Sequence, residues 1–554
     1  MTLRLRRAHD RSGHMELEGE GVAAKVIALR ARTPQVNKWV VAGTVLTGTF
    51  MAVLDSSIVN VALSNMSGSL GASLSEITWV VTGYILAQVI VMPIIGMLSE
   101  RFGRKRLYFL SCVLFTVASM ACGLAPTLWS MVFFRMIQGI GGGVLMTASQ
   151  AILRESFPVE EQGTAMGIYG LGAVLAPSIG PTLGGWLVDH LSWPWIFYIN
   201  VPVGIVTVFL VSRFLHDPPY LVRSKAHIDA VGLATMALGL GAFQLMLAKG
   251  EAENWFESRF IVGLALVSAL ALVAFVLREL EVDRPAVDLR ILKNASFASA
   301  TIMGGLLGAG LNGSLFLLPL YLQRLLGYPA MDAGLALMPR SLAMAVLMPI
   351  GGRMYNRIGP RTLVGSGLVV SAYSFWLLSH LTSHTGYWDI FFPQLLQGVG
   401  FSLVFVALST AALGNIPKAR MTAATGLYNV VRQVAGSVGI AAAASELSSS
   451  TVRLGVNLRS HIPETSPIAT AWLSTVEGGI RARGVDSVGA HAIALRLLAA
   501  AVTREAQVLA YNHVFQIVAG MFLVVAPLVF FLQGHRAADA IEVAAEWPVE
   551  VAAE

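Results

Sequence analysis

Four ionisable side chains lie inside the long apolar runs of this chain: Asp55, Arg135, Arg340 and Arg432. A charged side chain at the centre of a membrane costs at least about 2.5–3.5 kcal/mol, so it needs water or a partner. Asp55, in the run LDSSIVN, is the only carboxylate of the four. Because a low dielectric disfavours the charged form, a carboxylate that alternates between wet and dry surroundings changes its proton affinity. Asp55 is therefore the candidate residue for proton coupling.

Arg135 and Gln138 are the candidate partners of Asp55. They lie about one helical turn apart in RMIQGIGGG, which places them on one face of a helix. An arginine keeps its own charge, so Arg135 can pair with a carboxylate or orient a water chain. The alternative interpretation of each residue is a structural pair buried inside a helical bundle.

The two remaining arginines lie in the C-terminal half. Arg432 and Gln433 fall in the middle of an apolar run, whereas Arg340 follows Pro339 near one end of another. We expect Arg340 to be structural or part of an outer gate rather than a coupling residue.

The composition indicates a membrane protein. Of 554 residues, 55% are hydrophobic and 13% are charged, whereas a soluble chain carries about 25% charged residues. A helix that crosses a bilayer needs roughly 20 apolar residues. Fourteen windows qualify, and we call them spans 1 to 14: 39–63, 77–98, 107–124, 128–153, 163–187, 195–211, 231–248, 260–277, 298–322, 333–352, 363–381, 390–413, 422–444 and 514–532.

The basic residues predict how the chain is oriented. With both termini inside the cell, the cytoplasmic segments hold 26 Lys and Arg residues and the short external loops hold three. Because loops rich in Lys and Arg stay in the cytoplasm, we expect cytoplasmic tails at 1–38 and 535–554 and a bacterial inner membrane. The positive charge follows this topology, and no nucleic-acid partner is expected.

The chain also contains an internal duplication. The run PIIGMLSERFGRKR at 93–106 returns at 349–362 as PIGGRMYNRIGPRT. Two shorter motifs return with it, namely Gln138-Gly139 as Gln397-Gly398, and Gly167-x-Tyr169 as Gly426-x-Tyr428. Repeats in one order at a nearly constant offset indicate duplicated architecture. We expect an N-terminal bundle at 39–216, a linker with two spans at 217–296 and a C-terminal bundle at 297–534, as in transporters that hold substrate between two repeats.

These stretches together resemble the major facilitator superfamily, and within it the 14-span drug:proton antiporters of the EmrB/QacA type. GMLSERFGRKRL is similar to the superfamily's loop 2–3 signature, RMIQGIGGG to its span 4 motif and APSIGPTLGG to the span 5 motif of antiporters, while LDSSIVNVAL and WPWIFYINVPVG resemble the EmrB-like branch. The resemblance implies an all-α membrane fold of two six-helix bundles with two inserted spans. It also implies export of bulky amphipathic compounds against inward proton flow, with Asp55 and Arg135 in the coupling roles.

The resemblance gives the loop between spans 2 and 3 a conformational role, because in the family its acid and arginines stabilise one conformation. The corresponding residues here include an acid one methylene longer than the usual aspartate, and they are Gly96, Glu100, Arg101, Gly103, Arg104 and Lys105.

Span 5 is rich in glycine, which permits close helix approach, and contains two prolines, which bend the axis. We expect a bent helix sealed against its neighbour by Gly172, Pro177, Gly180, Pro181, Gly184 and Gly185.

A substrate pocket is expected between the two bundles. Such pockets are mainly apolar with a few polar groups, and the candidate lining residues are Asn60, Trp79, Tyr84, Gln88, Tyr428, Asn429, Arg432 and Gln433. Neither a cofactor nor a metal site is expected.

The external segment 447–510 fits no span, and its end at 491–511 has helical spacing. One interpretation is a helix that lies over the outer mouth. The other is a docking surface for a periplasmic adaptor that leads to an outer-membrane channel, as EmrB-like pumps use.

Three alternatives compete with a multidrug exporter. An exporter of one endogenous metabolite or siderophore would have the same fold and coupling. A membrane-embedded enzyme such as an acyltransferase would need catalytic His residues or paired acids, but the spans hold a single carboxylate. A sensor or scaffold would normally bring a soluble domain, whereas the longest non-membrane stretch has about 64 residues. No nucleotide-binding P-loop motif occurs in the sequence, so an ATP-driven pump is not expected.

Overall fold

The computed structural model describes residues 36–218, 229–282, 285–462 and 466–533. The predicted cytoplasmic tails lie outside the described residues, except for 36–38 at the start of the first helix. Within the described ranges the regular elements are all helices.

A long helix occupies each of the fourteen predicted spans, and the helices are numbered α1 to α14 to match them. Their bounds are Lys38–Leu70, Ser75–Phe102, Arg104–Gly123, Leu128–Ser156, Val159–His190, Trp195–Phe214, Ala230–Lys249, Arg259–Glu281, Ala295–Arg324, Met331–Ile358, Pro360–Leu378, Tyr387–Gly414, Met421–Ser460 and Ser487–Phe531. Prolines break two of them locally, because proline has no N–H to donate. α2 contains a 3-10 turn at Met92–Ile94, and α10 has a break before Met338–Ile358.

Thirteen of these helices in the described residues are long and apolar enough to cross a membrane, and α13 is the exception. α13 contains Asn429, Arg432 and Gln433 together with many small residues, which lower its hydropathy. Polar residues at this depth in a membrane protein face the bundle interior or a water-filled cavity. α13 fits this rule, because it packs against both α9 in its own half and α2 in the other.

The same helix pairings occur in both halves. α1 packs against α5 as α9 packs against α13, α2 against α4 as α10 against α12, and α3 against α6 as α11 against α14. α7 and α8 pair with each other, and α7 contacts α2 and α13. The duplicated sequence therefore folds into two bundles of like arrangement. We call the interface between the two bundles the seam, and α7 lies across part of it, against α2 and α13.

Each copy of the repeated motif ends in the same glycine corner. Gly103 precedes α3 with φ +83°, and Gly359 precedes α11 with φ +85°. Side chains with a Cβ rarely adopt such values, so both corners favour glycine. We call the side of the protein that carries these two corners the motif side and the opposite side the far side.

The repeated motifs pack against each other across the seam. Gly167 of α5 lies on Pro349 of α10, so that a methyl group on the glycine would be 3.1 Å from the proline Cα. Gly426 of α13 lies on Pro93 of α2 in the same way, with 3.6 Å for the corresponding distance. The two sequence repeats are therefore the two halves of one reciprocal contact between the bundles.

On the far side, α2 and α13 separate. α13 contacts α2 mainly at residues 92–102, near the motif side, and only sparsely at Trp79–Val91. Asn60 and Ser64 share one face of α1 and are exposed. Because exposed polar residues in a membrane helix face water rather than lipid, this face indicates a cleft between the bundles that opens toward the far side.

The predicted external segment has a different form from the one expected. α13 has 40 residues and at 1.5 Å per residue is about 60 Å long, twice the roughly 30 Å hydrocarbon core. A separate helix, Pro467–Arg481, follows it. Residues 491–511 are not a separate helix over the mouth but the first part of the helix Ser487–Val524, continuous with span 14. Together these parts extend beyond the bilayer on the far side.

A close approach between α2 and α13 can be tested by cross-linking. A methyl group on Gly96 would lie 2.6 Å from Cβ of Ala423, and a disulfide needs Cβ atoms about 3.8 Å apart, so a shift of about 1 Å suffices. We expect Gly96→Cys with Ala423→Cys to form a disulfide on mild oxidation, detected as a linked peptide by mass spectrometry.

The native thiols do not compete in this test, because Cys112 and Cys122 are buried. The matched control is Gly96→Cys with Ala442→Cys, since residue 442 lies farther along α13 by about 28 Å at the helical rise. Equal cross-linking of the two pairs would contradict the arrangement of α2 and α13 described here.

Candidate functional site

Asp55 is fully buried inside the N-terminal bundle and accepts hydrogen bonds from three side chains. Arg135 of α4 forms an ion pair with its Oδ2. Gln138 Nε2 and Asn200 Nδ2 donate to its Oδ1 at 2.9 and 2.8 Å. The structure thus brings together Asp55, Arg135 and Gln138, the three residues that the sequence predicts for the coupling site.

Arg135 is also fully buried, and its contacts hold the guanidinium in one orientation. Nη1 donates to Gln138 Oε1 at 2.7 Å, and Nε donates to the Val80 carbonyl at 3.3 Å. The guanidinium carbon lies 4.2 Å from the centre of the Tyr84 ring, in the range of a cation–π contact. Nη2 is buried and makes no hydrogen bond. The pair is therefore neutral overall, but one guanidinium nitrogen, with two N–H donors, stays unsatisfied.

Two further members of this cluster escaped the sequence analysis. Asn200 of α6 bridges Asp55 to Ser119 of α3, with 3.1 Å from Nδ2 to the serine Oγ. Ser119 in turn donates to the Phe197 carbonyl at 2.9 Å. Asn200 lies in the WPWIFYINVPVG stretch, where an amide among apolar residues was the available signal. The cluster therefore joins α1, α3, α4 and α6 through one carboxylate.

The ion pair is the costliest feature of the bundle to disturb. Removing one partner of a buried pair leaves an uncompensated charge and typically costs about 3–5 kcal/mol. The amide groups of Gln138 and Asn200 offset part of the desolvation of the carboxylate, because each donates a hydrogen bond to it.

α5 meets α1 two residues beyond Asp55. A methyl group on Gly180 would lie 2.6 Å from Ser57 Oγ, and one on Gly184 would lie 2.7 Å from Ile58 Cγ1. Pro181 has no N–H for the carbonyl of Pro177, four residues earlier, and Ser57 Oγ donates to that carbonyl at 3.2 Å instead. The proline-containing part of α5 is thereby fastened to the segment of α1 that carries the carboxylate.

The loop between α2 and α3 links the two bundles on the motif side. Arg104 is buried, forms an ion pair with Glu155 of α4 and donates from Nη2 to the Lys418 carbonyl across the seam at 3.2 Å. The expected acid, Glu100, is exposed and makes no ion pair in the described ranges. Glu100 lies on the outer face of the last turn of α2, whereas Glu155 faces α3.

The other loop residues divide into two groups. Lys105 binds the end of α6, with its backbone N–H 2.7 Å from Asp217 Oδ1 and its Nζ 2.9 Å from the Ser212 carbonyl. Arg101 is exposed.

A second arginine that the sequence analysis passed over, Arg154, is buried and donates to the Thr410 carbonyl of α12 at 3.0 Å. Arginines of the N-terminal bundle thus close the seam by binding carbonyls of the other bundle.

The predicted pocket residues are not gathered in one place. Trp79 packs beside Trp129 with 6.4 Å between ring centres, at the far end of α2. Tyr84 is fully buried beneath Arg135, with its hydroxyl 3.0 Å from the Ala52 carbonyl, so it belongs to the coupling cluster. Gln88 is buried against the Met146 sulfur, and Tyr428 against Gly304 of α9.

Five other polar and aromatic residues lie together at the seam. Asn429 Nδ2 donates to Gln150 Oε1 of the other bundle at 2.7 Å. The rings of Tyr169 and Phe405 stack across the seam with 6.4 Å between centres. Arg432, half-buried, lies 5.2 Å from the Phe405 ring centre. Of the predicted lining, Asn429 and Arg432 face this point, Asn60 is exposed in the cleft, and Gln433 is half-buried beside them on α13.

Two like helical bundles that meet at a polar and aromatic seam, with a buried ion pair in one of them, define a multi-pass membrane protein of the two-repeat transporter class. The sequence profile of the Major Facilitator Superfamily matches residues 45–440. The chain belongs to this family, and the expected all-α fold is confirmed.

Relatives and a solved structure agree with this assignment. The multidrug export protein EmrB of Haemophilus influenzae is 40% identical over 71% of this chain and 77% of its own length. The fatty acid resistance protein FarB of Neisseria gonorrhoeae is 32% identical over 87% of this chain and 93% of its own. The crystal structure of the human organic anion transporter MFSD10 covers 90% of this chain and all of its own at 13% identity, with a TM-score of 0.58, and shows a likeness of fold.

The bond from Ser57 to the carbonyl freed by Pro181 generates a test of how α5 is held. We expect Ser57→Ala to lower the melting temperature in nanodiscs, because a hydrogen bond of this kind contributes about 0.5–1.5 kcal/mol and the carbonyl would lose its partner. We expect Pro181→Ala to restore stability to the Ser57→Ala variant, since alanine at 181 supplies an N–H to the same carbonyl.

The single variant Pro181→Ala is the matched control. A loss on Ser57→Ala that is equally large with proline and with alanine at 181 would show that the hydroxyl acts elsewhere.

Proposed function

We propose that this protein exports hydrophobic or amphipathic small molecules in exchange for protons, by alternating access between its two bundles. The observation that carries the proposal is the buried pair of Asp55 and Arg135, bound by Gln138, in a chain similar to a multidrug export protein. Intramembrane ionisable residues that pair with each other are typical of proton relays in transporters. The acyltransferase alternative draws no support from these relatives.

The proton acts by changing the charge balance of the cluster. With Asp55 ionised, the carboxylate balances the positive charge of Arg135, and the bundle is stable in the observed conformation. Protonation of Asp55 leaves the guanidinium buried without a counter-charge, next to the neutral acceptors Gln138 Oε1 and the Val80 carbonyl. A buried charge without a counter-charge is strongly unfavourable. The protonated cluster therefore favours a rearrangement in which Arg135 reaches water or another acceptor.

α5 carries this rearrangement to the seam. Ser57, two residues from Asp55, binds the kink of α5, and α5 packs along α10 of the other bundle. A displacement of α1 near Asp55 would thus also displace α5, which is part of the interface between the bundles. Loss of the Arg104 and Arg154 bonds to the Lys418 and Thr410 carbonyls then opens the motif side.

The seam supplies a binding site for an amphipathic substrate. The stacked rings of Tyr169 and Phe405 offer an apolar surface, the amides of Asn429 and Gln150 offer hydrogen bonds, and Arg432 offers a positive charge. This mixture of aromatic surface and a few polar groups is typical of ligand pockets. It agrees with the names of the relatives, which refer to many drugs and to fatty acids.

The proposal includes an orientation. The excess of Lys and Arg in segments on the motif side supports a cytoplasmic position for that side and for both termini, with the cleft facing outward. The bacterial inner membrane follows from the same proposal, since its proton gradient would draw protons inward through the cleft.

Transport in everted vesicles tests the coupling. We expect vesicles with an imposed acidic lumen to accumulate a lipophilic dye through the wild-type protein, and Asp55→Asn to abolish this accumulation because an amide cannot exchange a proton. Dye exchange at equal pH should continue in the variant, since binding at the seam does not need the carboxylate.

The matched control is Asp189→Asn, a change of an exposed carboxylate at the far end of α5, which should leave accumulation unchanged. If Asp55→Asn accumulates dye as steeply as the wild type, Asp55 is not the coupling residue.

We further propose that the extension beyond the far side binds a periplasmic adaptor that leads to an outer-membrane channel. Val452 and Val456 lie on one face of the projecting end of α13 and are 67% and 61% exposed, and Ile468 on the next helix is 84% exposed. Apolar side chains clustered outside the bilayer mark interaction sites. Such a surface fits an elongated helical partner.

A pull-down separates docking from transport. We expect Val452→Asn with Val456→Asn to lose capture by a purified periplasmic adaptor protein, while dye transport by the purified protein in liposomes stays unchanged. Asn457→Ser, on the neighbouring exposed face, is the control and should retain capture. Undiminished capture by the double variant would remove the adaptor from the proposal.

A further inference from the structure

The C-terminal bundle contains a polar cluster at the place that mirrors the coupling site. The offset of 259 residues that relates Gln138 to Gln397 also relates Asp55 to Ser314 and Arg135 to Gln394. The bonding agrees with this correspondence, since Gln138 binds Asp55 and Gln397 binds Ser314, with 3.1 Å between Ser314 Oγ and Gln397 Oε1.

The guanidinium of this second cluster comes from a different helix. Arg340 lies on α10, where the offset of the repeated motif, 256 residues, relates it to Tyr84. Its Nη1 donates to Gln397 Oε1 at 3.1 Å and to Ser314 Oγ at 3.4 Å. Each bundle therefore buries one arginine among α1, α2 and α4 or their counterparts α9, α10 and α12. The carboxylate of the first cluster is replaced by a serine in the second.

Arg340 is buried without a counter-charge. It is 3% exposed, and no carboxylate pairs with it among the residues that the structure describes. Its two bonds go to a neutral amide and a neutral hydroxyl. Charge at this depth needs a partner, because its desolvation is otherwise uncompensated.

The cluster is rich in donors and poor in acceptors. Gln397 Oε1 accepts from three groups, namely Arg340, Ser314 and Gln394, the last at 3.5 Å. Gln397 Nε2 is buried and has no hydrogen-bond partner, and neither has Gln394 Oε1.

We infer that Arg340, Ser314 and Gln397 form a binding site for a small monovalent anion, either a halide ion such as chloride or the carboxylate group of an amphipathic substrate. The anion takes the place that the Asp55 carboxylate fills in the N-terminal bundle. It accepts hydrogen bonds from the guanidinium, the hydroxyl and the free amide NH2, all of which bind anions as donors. The C-terminal bundle thus contains a buried positive charge, that of Arg340, whose counter-charge is supplied by a bound anion.

The test measures thermal stability of the purified full-length protein in nanodiscs, because a ligand that binds the folded state raises the melting temperature. In sodium gluconate, added chloride or bromide should raise the melting temperature of the wild type and leave that of Arg340→Gln unchanged. This outcome assigns the site to a free halide ion. A matched series with decanoate and decanol, below their micellar concentrations, tests whether the site instead binds the carboxylate group of a substrate.

If decanoate stabilises the wild type, decanol does not, chloride has no effect and Arg340→Gln abolishes the decanoate response, the site takes a substrate carboxylate. If neither anion stabilises the wild type, or Arg340→Gln responds as the wild type does, the inference is overturned. The readout is stability rather than transport, so its failure would leave the proton-coupling proposal standing.

A second variant keeps the test decisive if Arg340→Gln fails to fold. Ser314→Asp supplies a carboxylate from within the chain at the position that mirrors Asp55. We expect this variant to be as stable in gluconate as the wild type is in the stabilising anion, and to gain nothing from that anion. Ser371→Asp, at another buried serine of the same bundle, is the control and should destabilise the protein under all conditions. Equal destabilisation by both aspartates would refute an anion site at Arg340.

Discussion

The buried pair of Asp55 and Arg135 is the interaction on which the rest of the structure depends. It holds four helices of one bundle around a single carboxylate, with Gln138 and Asn200 completing the coordination. Removing either charge would leave the other buried without compensation, so the packing of α1 depends on both. Ser57 joins α1 to the proline-containing part of α5, and α5 packs against α10 of the other bundle. In the proposed mechanism a proton that binds Asp55 removes one of the two charges, and these contacts connect that change to the seam.

Much of the architecture was predictable from the sequence because the membrane simplifies the problem. Apolar windows, basic loops and a repeated motif predict helices, orientation and duplication, and each rests on strong, local signals. The helix least like a lipid-facing span, α13, was still recognisable by its apolar run. The joining of 491–511 to span 14 was not, because a helix that leaves the bilayer has no hydrophobic signal at the crossing point.

The site was predictable in part, for a physical reason. Asp55, Arg135 and Gln138 could be named because charge is rare in spans and must be paired. Asn200, Ser119 and Glu155 were missed, because neutral polar groups and loop acids are common, and only the fold shows which of them are buried together. Tyr84 was assigned to a pocket, since sequence cannot distinguish an aromatic ring that meets cargo from one that lies beneath a guanidinium.

The reciprocal contacts at the seam have a consequence for ancestry. Gly167 meets Pro349 as Gly426 meets Pro93, so each half offers the other the same pair of surfaces. Two identical subunits related by a twofold axis make contacts of this isologous kind. A homodimer of single bundles would form a seam of this kind. In the present chain the two halves differ at the mirrored position, where the N-terminal bundle has Asp55 and the C-terminal bundle has Ser314.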